Sequence, residues 1–323
     1  MPLGPATKLF YSVAGSTILI NACDDWSSFA VSQLFTGWFL SRLPDSTINP
    51  DITITIRSGV SAPSVPDELR GFEITHGGIC YTDNENYYLK FGGSLVVFGP
   101  DQISLWVDQP YDVSAGIVTQ LLSHALSPAL RRVGIFEIHS AGVVPPGREK
   151  SIMFAGPSGC GKSTLTSQLA RCGWGYLSDD ILLLRECERK IEAHSFRRFF
   201  ALTANTLAAS KLPGATAENT KARITPQDHF RQVPIETAQA GTIIYPQITG
   251  SERSRITSLP TAESMQRLLR LCPWASYDKP TSAEHLKVLG LLANTTNAFE
   301  LFAGADILKD ANAAADLIKK SVP

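Results

Sequence analysis

The chain has 323 residues, 29 Lys and Arg against 30 Asp and Glu, a formal net charge of −1, and 44% hydrophobic with 18% charged residues. Such a composition can bury a sizeable core, and the length suits one or two domains. The near-zero charge excludes a global basic field for nucleic acid or an anionic membrane surface. No run approaches the ~18 consecutive apolar residues of a membrane-spanning helix, so no membrane insertion is expected.

Met1–Pro5 shows no basic stretch leading into an apolar core, and no secretory signal is expected. Residues 8–108 read mainly as strands and turns. Asp51–Ile56 alternates with period two, and Tyr87–Phe91, Ser94–Phe98 and Ile103–Val107 are further strands bounded by Gly, Pro or Asp turn signals. One helix near Ser28–Leu43 interrupts them, and Ser61–Pro66 is a loop. His76 and Cys80 stand isolated, with no metal or nucleophile constellation around them. From Val113 to Arg132, Ile117, Leu121, Leu122, Leu126 and Leu130 recur at helical spacing. A boundary near residue 130 therefore divides an N-terminal α+β domain, 1–130, from a nucleotide-binding domain, 131–323.

Strands are predicted at 134–139 and 151–155, then a helix to about Arg171. Tyr176–Leu184 holds two short strands flanking Asp179 and Asp180. A polar segment over roughly 204–240 precedes a strand at Thr242–Tyr245, and the chain ends in helices at Ala262–Leu271, Ala283–Leu292 and Leu308–Lys320. The six cysteines, Cys23, Cys80, Cys160, Cys172, Cys187 and Cys272, show no C-x-x-C pair and no zinc spacing, which predicts reduced thiols in a cytoplasmic protein.

The sharpest signal is Gly156-Pro157-Ser158-Gly159-Cys160-Gly161-Lys162-Ser163, which fits the G-x-x-x-x-G-K-[ST] phosphate loop. It follows the apolar strand Ser151–Ala155 and opens a helix with Leu165 and Leu169 one turn apart on one face. The glycines let backbone N–H groups turn onto phosphates, and the helix N-terminus adds its positive dipole end. Lys162 is placed to reach β/γ-phosphates and the Ser163 hydroxyl to ligate Mg²⁺. Residues Gly156 to Thr164 are the expected nucleotide contacts.

Asp179 and Asp180 follow after one helix and a tight turn, so their strand is expected to return beside the loop strand. Neighbouring side chains in extended backbone face opposite ways, which favours two tasks: Mg²⁺ for one, the attacking hydroxyl for the other. His139 closes the preceding strand, Ile135–Ile138, near the same place.

Together, His139, the loop Gly156–Ser163 and Leu177-Ser178-Asp179-Asp180 resemble the catalytic core of HPr kinase/phosphorylase. More narrowly, they resemble the HPr-kinase-related proteins with an extra N-terminal domain, a group that includes lasso-peptide precursor kinases. Fainter echoes lie at Phe196–Arg198, Lys221–Pro226, Ala240–Pro246 and Pro50–Arg57. The resemblance implies an α/β fold with a P-loop kinase domain of the HPr kinase and phosphoenolpyruvate carboxykinase type. It implies ATP and Mg²⁺ as cofactors, Lys162 on phosphate, Ser163 on the metal, Asp180 as base toward serine, Asp179 in the metal or phosphate shell, and His139 in the active site.

Two departures stand out. His194-Ser195-Phe196-Arg197-Arg198 occupies the region where the family carries a Glu-Ile-Arg-Gly-type signature, and the family's Pro-Gly-Arg-Asn loop is missing, Gly250–Ser254 being the nearest basic loop. They imply a kinase without the reverse reaction and with an acceptor other than HPr. Arg197, Arg198, Lys221 and Arg253 read first as solvated surface charge. A nucleotide-dependent scaffold in a biosynthetic or export cluster, a plain NTPase, and a small-molecule hydroxyl kinase are the alternatives. The protein or peptide acceptor, the oligomeric state and the role of residues 1–130, substrate recognition or support, are left open by the sequence.

Overall fold

A computed structural model describes residues 6–44, 49–74, 77–83, 85–100, 102–110, 115–212, 221–232 and 234–322. His76 and the start of the helix expected at Val113 lie outside these residues. The chain is a mixed α/β protein that separates into two compact units, residues 1–136 with Asp278–Thr281, and Glu137–Tyr277 with Ser282–Pro323. No helix among the described residues is long and apolar enough to cross a membrane.

In the first unit the elements are β1 (Thr7–Val13), β2 (Ser16–Ala22), α1 (Asp25–Leu34), β3 (Ser41–Leu43), β4 (Ile52–Ser58), β5 (Phe72–Glu73), β6 (Ile79–Thr82), β7 (Tyr87–Phe91), β8 (Ser94–Phe98), β9 (Ile103–Val107) and α2 (Ala115–Arg132). The strands form one sheet in the order β3-β1-β2-β4-β9-β8-β7-β6-β5. β4 shows the alternation read from its sequence: Ile52, Ile54, Ile56 and Ser58 are buried and the residues between them are half-buried. The helix expected over Ser28–Leu43 stops at Leu34. Phe35 stacks on Trp38 and meets Tyr11 edge-on, and the chain leaves the helix through a single 3₁₀ turn, Phe35–Gly37.

Two carboxylates anchor this unit. Asp24 caps α1 and takes four hydrogen bonds, from Ser27 N and Oγ at 2.8 Å each, from Ser58 N at 2.8 Å and from Ser58 Oγ at 2.7 Å. It thereby ties the start of α1 to the end of β4. The buried Asp278 accepts from Arg131 Nε at 2.6 Å and from both terminal nitrogens of Arg132. These guanidinium donors hold its carboxyl below the usual range against the cost of burial.

The second unit contains β10 (Ile135–Ile138, its first two residues counted with the first unit), β11 (Ser140–Val144), β12 (Lys150–Ala155), α3 (Lys162–Arg171), β13 (Gly175–Ser178), β14 (Leu182–Cys187), β15 (Lys190–Ser195), β16 (Phe200–Thr203), α4 (Ala204–Ala209), β17 (Lys221–Ile224), β18 (Thr237–Ile248), β19 (Arg255–Ser258), α5 (Thr261–Leu271), α6 (Trp274–Tyr277), α7 (Lys279–Thr295, its first residues counted with the first unit), β20 (Asn297–Ala303), α8 (Ala305–Lys309) and α9 (Ala311–Ser321). The main path of its sheet runs β10-β14-β15-β18-β12-β11-β13, with β20 parallel to β18 and β19 antiparallel to β20. Leu165 and Leu169 of α3 do face one core, against Ile152 and Phe154 of β12, Ile244, Leu301, Trp174 and the α9 residues Ala314, Ala315 and Ile318.

Four expectations change. The strand carrying Asp179 is not beside β12; β11, unread in the sequence, lies between them, antiparallel to both. Its residues are small, and Gly142 admits the Leu182 and Leu177 side chains to within 3.1 and 3.4 Å of where a Cβ would stand. The segment read as polar holds α4 and β17; with β16 just before it, they bury Phe200, Leu202, Leu207, Ile224 and Phe230 against Tyr176. β18 is far longer than Thr242–Tyr245, and β20 was not anticipated. The last helix is broken at Asp310, whose carboxylate accepts from Asn312 N at 2.9 Å and starts α9.

Replacing Asp24 with Ala should cost about 2–4 kcal/mol, since it removes a helix cap and strands the buried Ser58 donors. Urea unfolding followed by a probe in the first unit would measure it.

Candidate functional site

The site follows from strand order. β12 and β13 are parallel and both end at the same edge of the sheet, one in the phosphate loop and the other in the aspartate bend. With β11 between them, those two loops stand about 10 Å apart, two strand spacings. β11 runs the other way and pairs Ser140 with Ala155, so it starts at that edge. The residue just before it, His139, therefore falls in the gap between Lys162 and Asp180.

The loop itself is shaped by its glycines. Gly159 and Gly161 take φ of 85° and 103°, where side-chain-bearing residues are strained, and a Cβ on Gly156 would stand 2.9 Å from Cys160 Sγ. Gly161 is the N-cap of α3 and offers no side-chain bond, so the first-turn N–H groups of the helix face outward with the dipole behind them. Burial pushes the Cys160 thiol up, which keeps it protonated and a packing residue here.

Lys162 is only 4% exposed. Its Nζ donates to Gly156 O at 2.7 Å and Pro157 O at 3.0 Å and lies 3.0 Å from His139 Nε2. An ammonium has three protons and no lone pair, so Nε2 must accept the third. The imidazole proton is thereby placed on Nδ1, which sits 3.2 Å from Asp180 Oδ1. Burial pushes the His139 pKa below its ordinary range, and the nearby Lys162 adds to this, in keeping with a neutral ring. Desolvation likewise lowers Lys162. The far oxygen of Asp180 meets Arg197 Nη1 at 3.1 Å. Arg197 is thus part of the site, not the solvated charge expected from sequence.

The two aspartates go different ways because of one bend. Ser178 Oγ accepts from Asp180 N and Ile181 N, both at 3.2 Å, and turns the chain between them. Asp180 lines a cavity of about 740 Å³ together with His139, Lys162, Ser163, Thr164 and Lys221. Asp179 does not line it. That side chain is buried, accepts from Ala201 N at 3.0 Å through Oδ2, and leaves Oδ1 without a hydrogen-bond partner. Burial, helped by the adjacent Asp180, pushes its carboxyl up to about 7. Its backbone oxygen accepts from Ser163 Oγ at 3.1 Å.

These donors suit a hard, oxygen-seeking cation. Ser163 and Asp180 present oxygens to the cavity, and the orphaned Oδ1 belongs to Asp179, the residue whose backbone oxygen holds Ser163. Among the described residues no three His, Cys, Asp or Glu cluster into a cage of their own. A cation here would draw its remaining ligands from phosphate and water, as Mg²⁺ commonly does.

Of the cavity's threonine wall, sequence reasoning found Thr164 and missed Thr203 and Thr206. Thr164 and Thr206 hydroxyls lie 3.0 Å apart and Thr206 and Thr203 3.1 Å apart. Thr203 caps α4, and the Thr203-Ala204-Asn205-Thr206 start of a helix was the available signal. Lys221 also lines the cavity, while Arg253 is exposed in the loop before β19.

No protein-family model matches the chain, and no curated protein is similar to it in sequence. Among solved structures the chain is similar to the Hpr(Ser) kinase/phosphatase from Coxiella burnetii, with 11% identity and a TM-score of 0.34, over 57% of this chain and 94% of that one. Likeness at this level is too slight to bear on mechanism, and function rests on the residues of the cavity.

Asp179 sets a pH dependence. Its folded pKa of about 7 stands above the unfolded value of 3.8, so the folded chain holds a proton that the unfolded chain releases. The stability it contributes is complete below about pH 4 and is lost as pH rises to about 7. Asp179→Asn should therefore be more stable than the native chain by on the order of 4 kcal/mol at pH 8, with the gap closing toward pH 4. Denaturant midpoints at the two pH values test this; equal gaps would contradict it.

Proposed function

We propose that the chain is an ATP- and Mg²⁺-dependent kinase that transfers the γ-phosphate to a hydroxyl, that of a serine in a protein or peptide. The observation that carries this is the continuous chain Lys162–His139–Asp180 within one cavity: a phosphate-binding cation and a carboxylate joined by an imidazole. A nucleotide binder needs the loop; it does not need a carboxylate held at a fixed place in the same cavity.

In this reading the first-turn N–H groups of α3 and the Lys162 ammonium hold the β- and γ-phosphates. Ser163 would hold Mg²⁺, with Asp179 behind it, and the ion would supply charge neutralisation at the phosphates. Asp180 orients the acceptor hydroxyl and takes its proton at Oδ1 or Oδ2. His139 is a positioning residue whose Nδ1–H keeps that carboxylate turned into the cavity. Arg197 balances the negative charge beside it. Such catalysis is positioning plus electrostatics, so small displacements of Asp180 are expected to matter more than changes at the rim. The first unit carries no part of this chemistry and is proposed as the acceptor-recognising or supporting domain.

Asp180→Ala should lower phosphotransfer by about 10²–10⁴-fold while leaving ATP affinity within about threefold, whereas Lys162→Ala should weaken ATP binding itself. Labelled ATP with candidate serine peptides, alongside nucleotide titration, separates the two. Full transfer by Asp180→Ala would end the base assignment, and label released only to water would favour an NTPase.

A further inference from the structure

A second cavity, of about 670 Å³, lies in the same unit at the opposite end of β12 from the phosphate loop. Its floor is the start of β12 with Gly241 and Thr242 of β18. Here the strand pairing slips, since Ser151 faces Ala240 but Ile152 faces Thr242. A Cβ on Gly241 would stand 2.7 Å from Lys150 Cβ, so the glycine lets the lysine stem lie across the sheet end. Bulged glycines of this kind mark places where something approaches the backbone closely.

Trp174, between α3 and β13, lines this cavity. The residue is 0% exposed, yet its Nε1 has no hydrogen-bond partner. An indole N–H is a donor only, and leaving it buried and unpaired costs about 1–3 kcal/mol. Around it the walls combine apolar surface, from Pro145, Ile152, Ile318 and Val322, with cationic groups on Arg148, Lys150 and Lys319. Lys319 Nζ lies 5.9 Å from the Trp174 ring centre. The only carboxylate among the lining residues is that of Glu149.

We propose that this cavity is a binding site for a small organic anion: an apolar body carrying a carboxylate or phosphate. Lys150 and Lys319 pair the anionic oxygens, while the body packs on the apolar walls beside the Trp174 ring. A concave site of this volume, mostly apolar with a few convergent polar groups, has the ordinary make-up of a ligand pocket. It is separate from the nucleotide cavity, with the length of β12 between them, and does not depend on the kinase reading.

The full chain would be titrated with benzoate, phenyl phosphate and uncharged benzyl alcohol, with and without ADP and Mg²⁺, reading tryptophan fluorescence and heat. At least one anion should bind saturably whether or not nucleotide is present, and benzyl alcohol should not. Binding of benzoate alone or phenyl phosphate alone supports the site and tells which headgroup it takes. Lys319→Glu should weaken binding about tenfold or more, and Trp174→Phe should remove the fluorescence change. If Trp174→Phe fails to fold, Lys319→Glu and Lys150→Glu, both at exposed positions, decide the matter. No binding of either anion at ~10 mM, loss of binding when ADP is present, or native affinity in Lys319→Glu would overturn the proposal.

Discussion

The phosphate loop and the aspartate bend stand two strand widths apart because β11 lies between β12 and β13. Ser163 Oγ reaches across to the backbone oxygen of Asp179, and the gap between Lys162 and Asp180 is left to a third side chain. His139 closes it, because an antiparallel strand inserted there must begin at the edge where its two neighbours end. An imidazole is the side chain for this place: rigid, with a nitrogen on each side, able to accept from an ammonium and donate to a carboxylate at once. Much of the site's geometry follows from this single insertion, including the tautomer of His139 and the orientation of Asp180.

Adjacent residues in this site differ through burial more than through charge. Ser178 turns the backbone so that Asp179 goes under β16 and Asp180 into the open cavity. The first carboxyl is thereby lifted toward neutrality, and the second is left with a cation on one oxygen and an imidazole N–H on the other. The same desolvation acts on Lys162 and His139, lowering both. A neutral imidazole between an ammonium and a carboxylate is the arrangement in which every hydrogen bond has one donor and one acceptor.

The loop Gly156–Ser163, its strand and its helix were legible because glycine spacing, an apolar run and helical periodicity are all local. So was the proximity of Asp179 and Asp180 to the loop, although the sequence suggested direct strand neighbours where one strand intervenes. β11 escaped notice because Ser140-Ala141-Gly142 has low strand propensity; it is a strand through pairing on both sides and through close packing against Leu177 and Leu182. The ribbon β16–β17 escaped because its two halves are separated by a long polar stretch, and only the folded chain brings Phe200 beside Ile224. Arg197 read as surface charge since nothing in its neighbourhood along the chain reveals a partner in Asp180. Long-range pairing, not local propensity, decided each of these.

Lys162 has a further consequence. Each of its ammonium protons is already taken up, two by carbonyls of the phosphate loop and one by His139. In the proposed reading, the protein thus carries its own internal competitor for the group that an incoming phosphate must capture. A weakly basic anion gains little by displacing two carbonyls and an imidazole. A polyphosphate, bringing several charged oxygens and the helix dipole together, gains enough. Selection among anions would in this way be built into the loop itself.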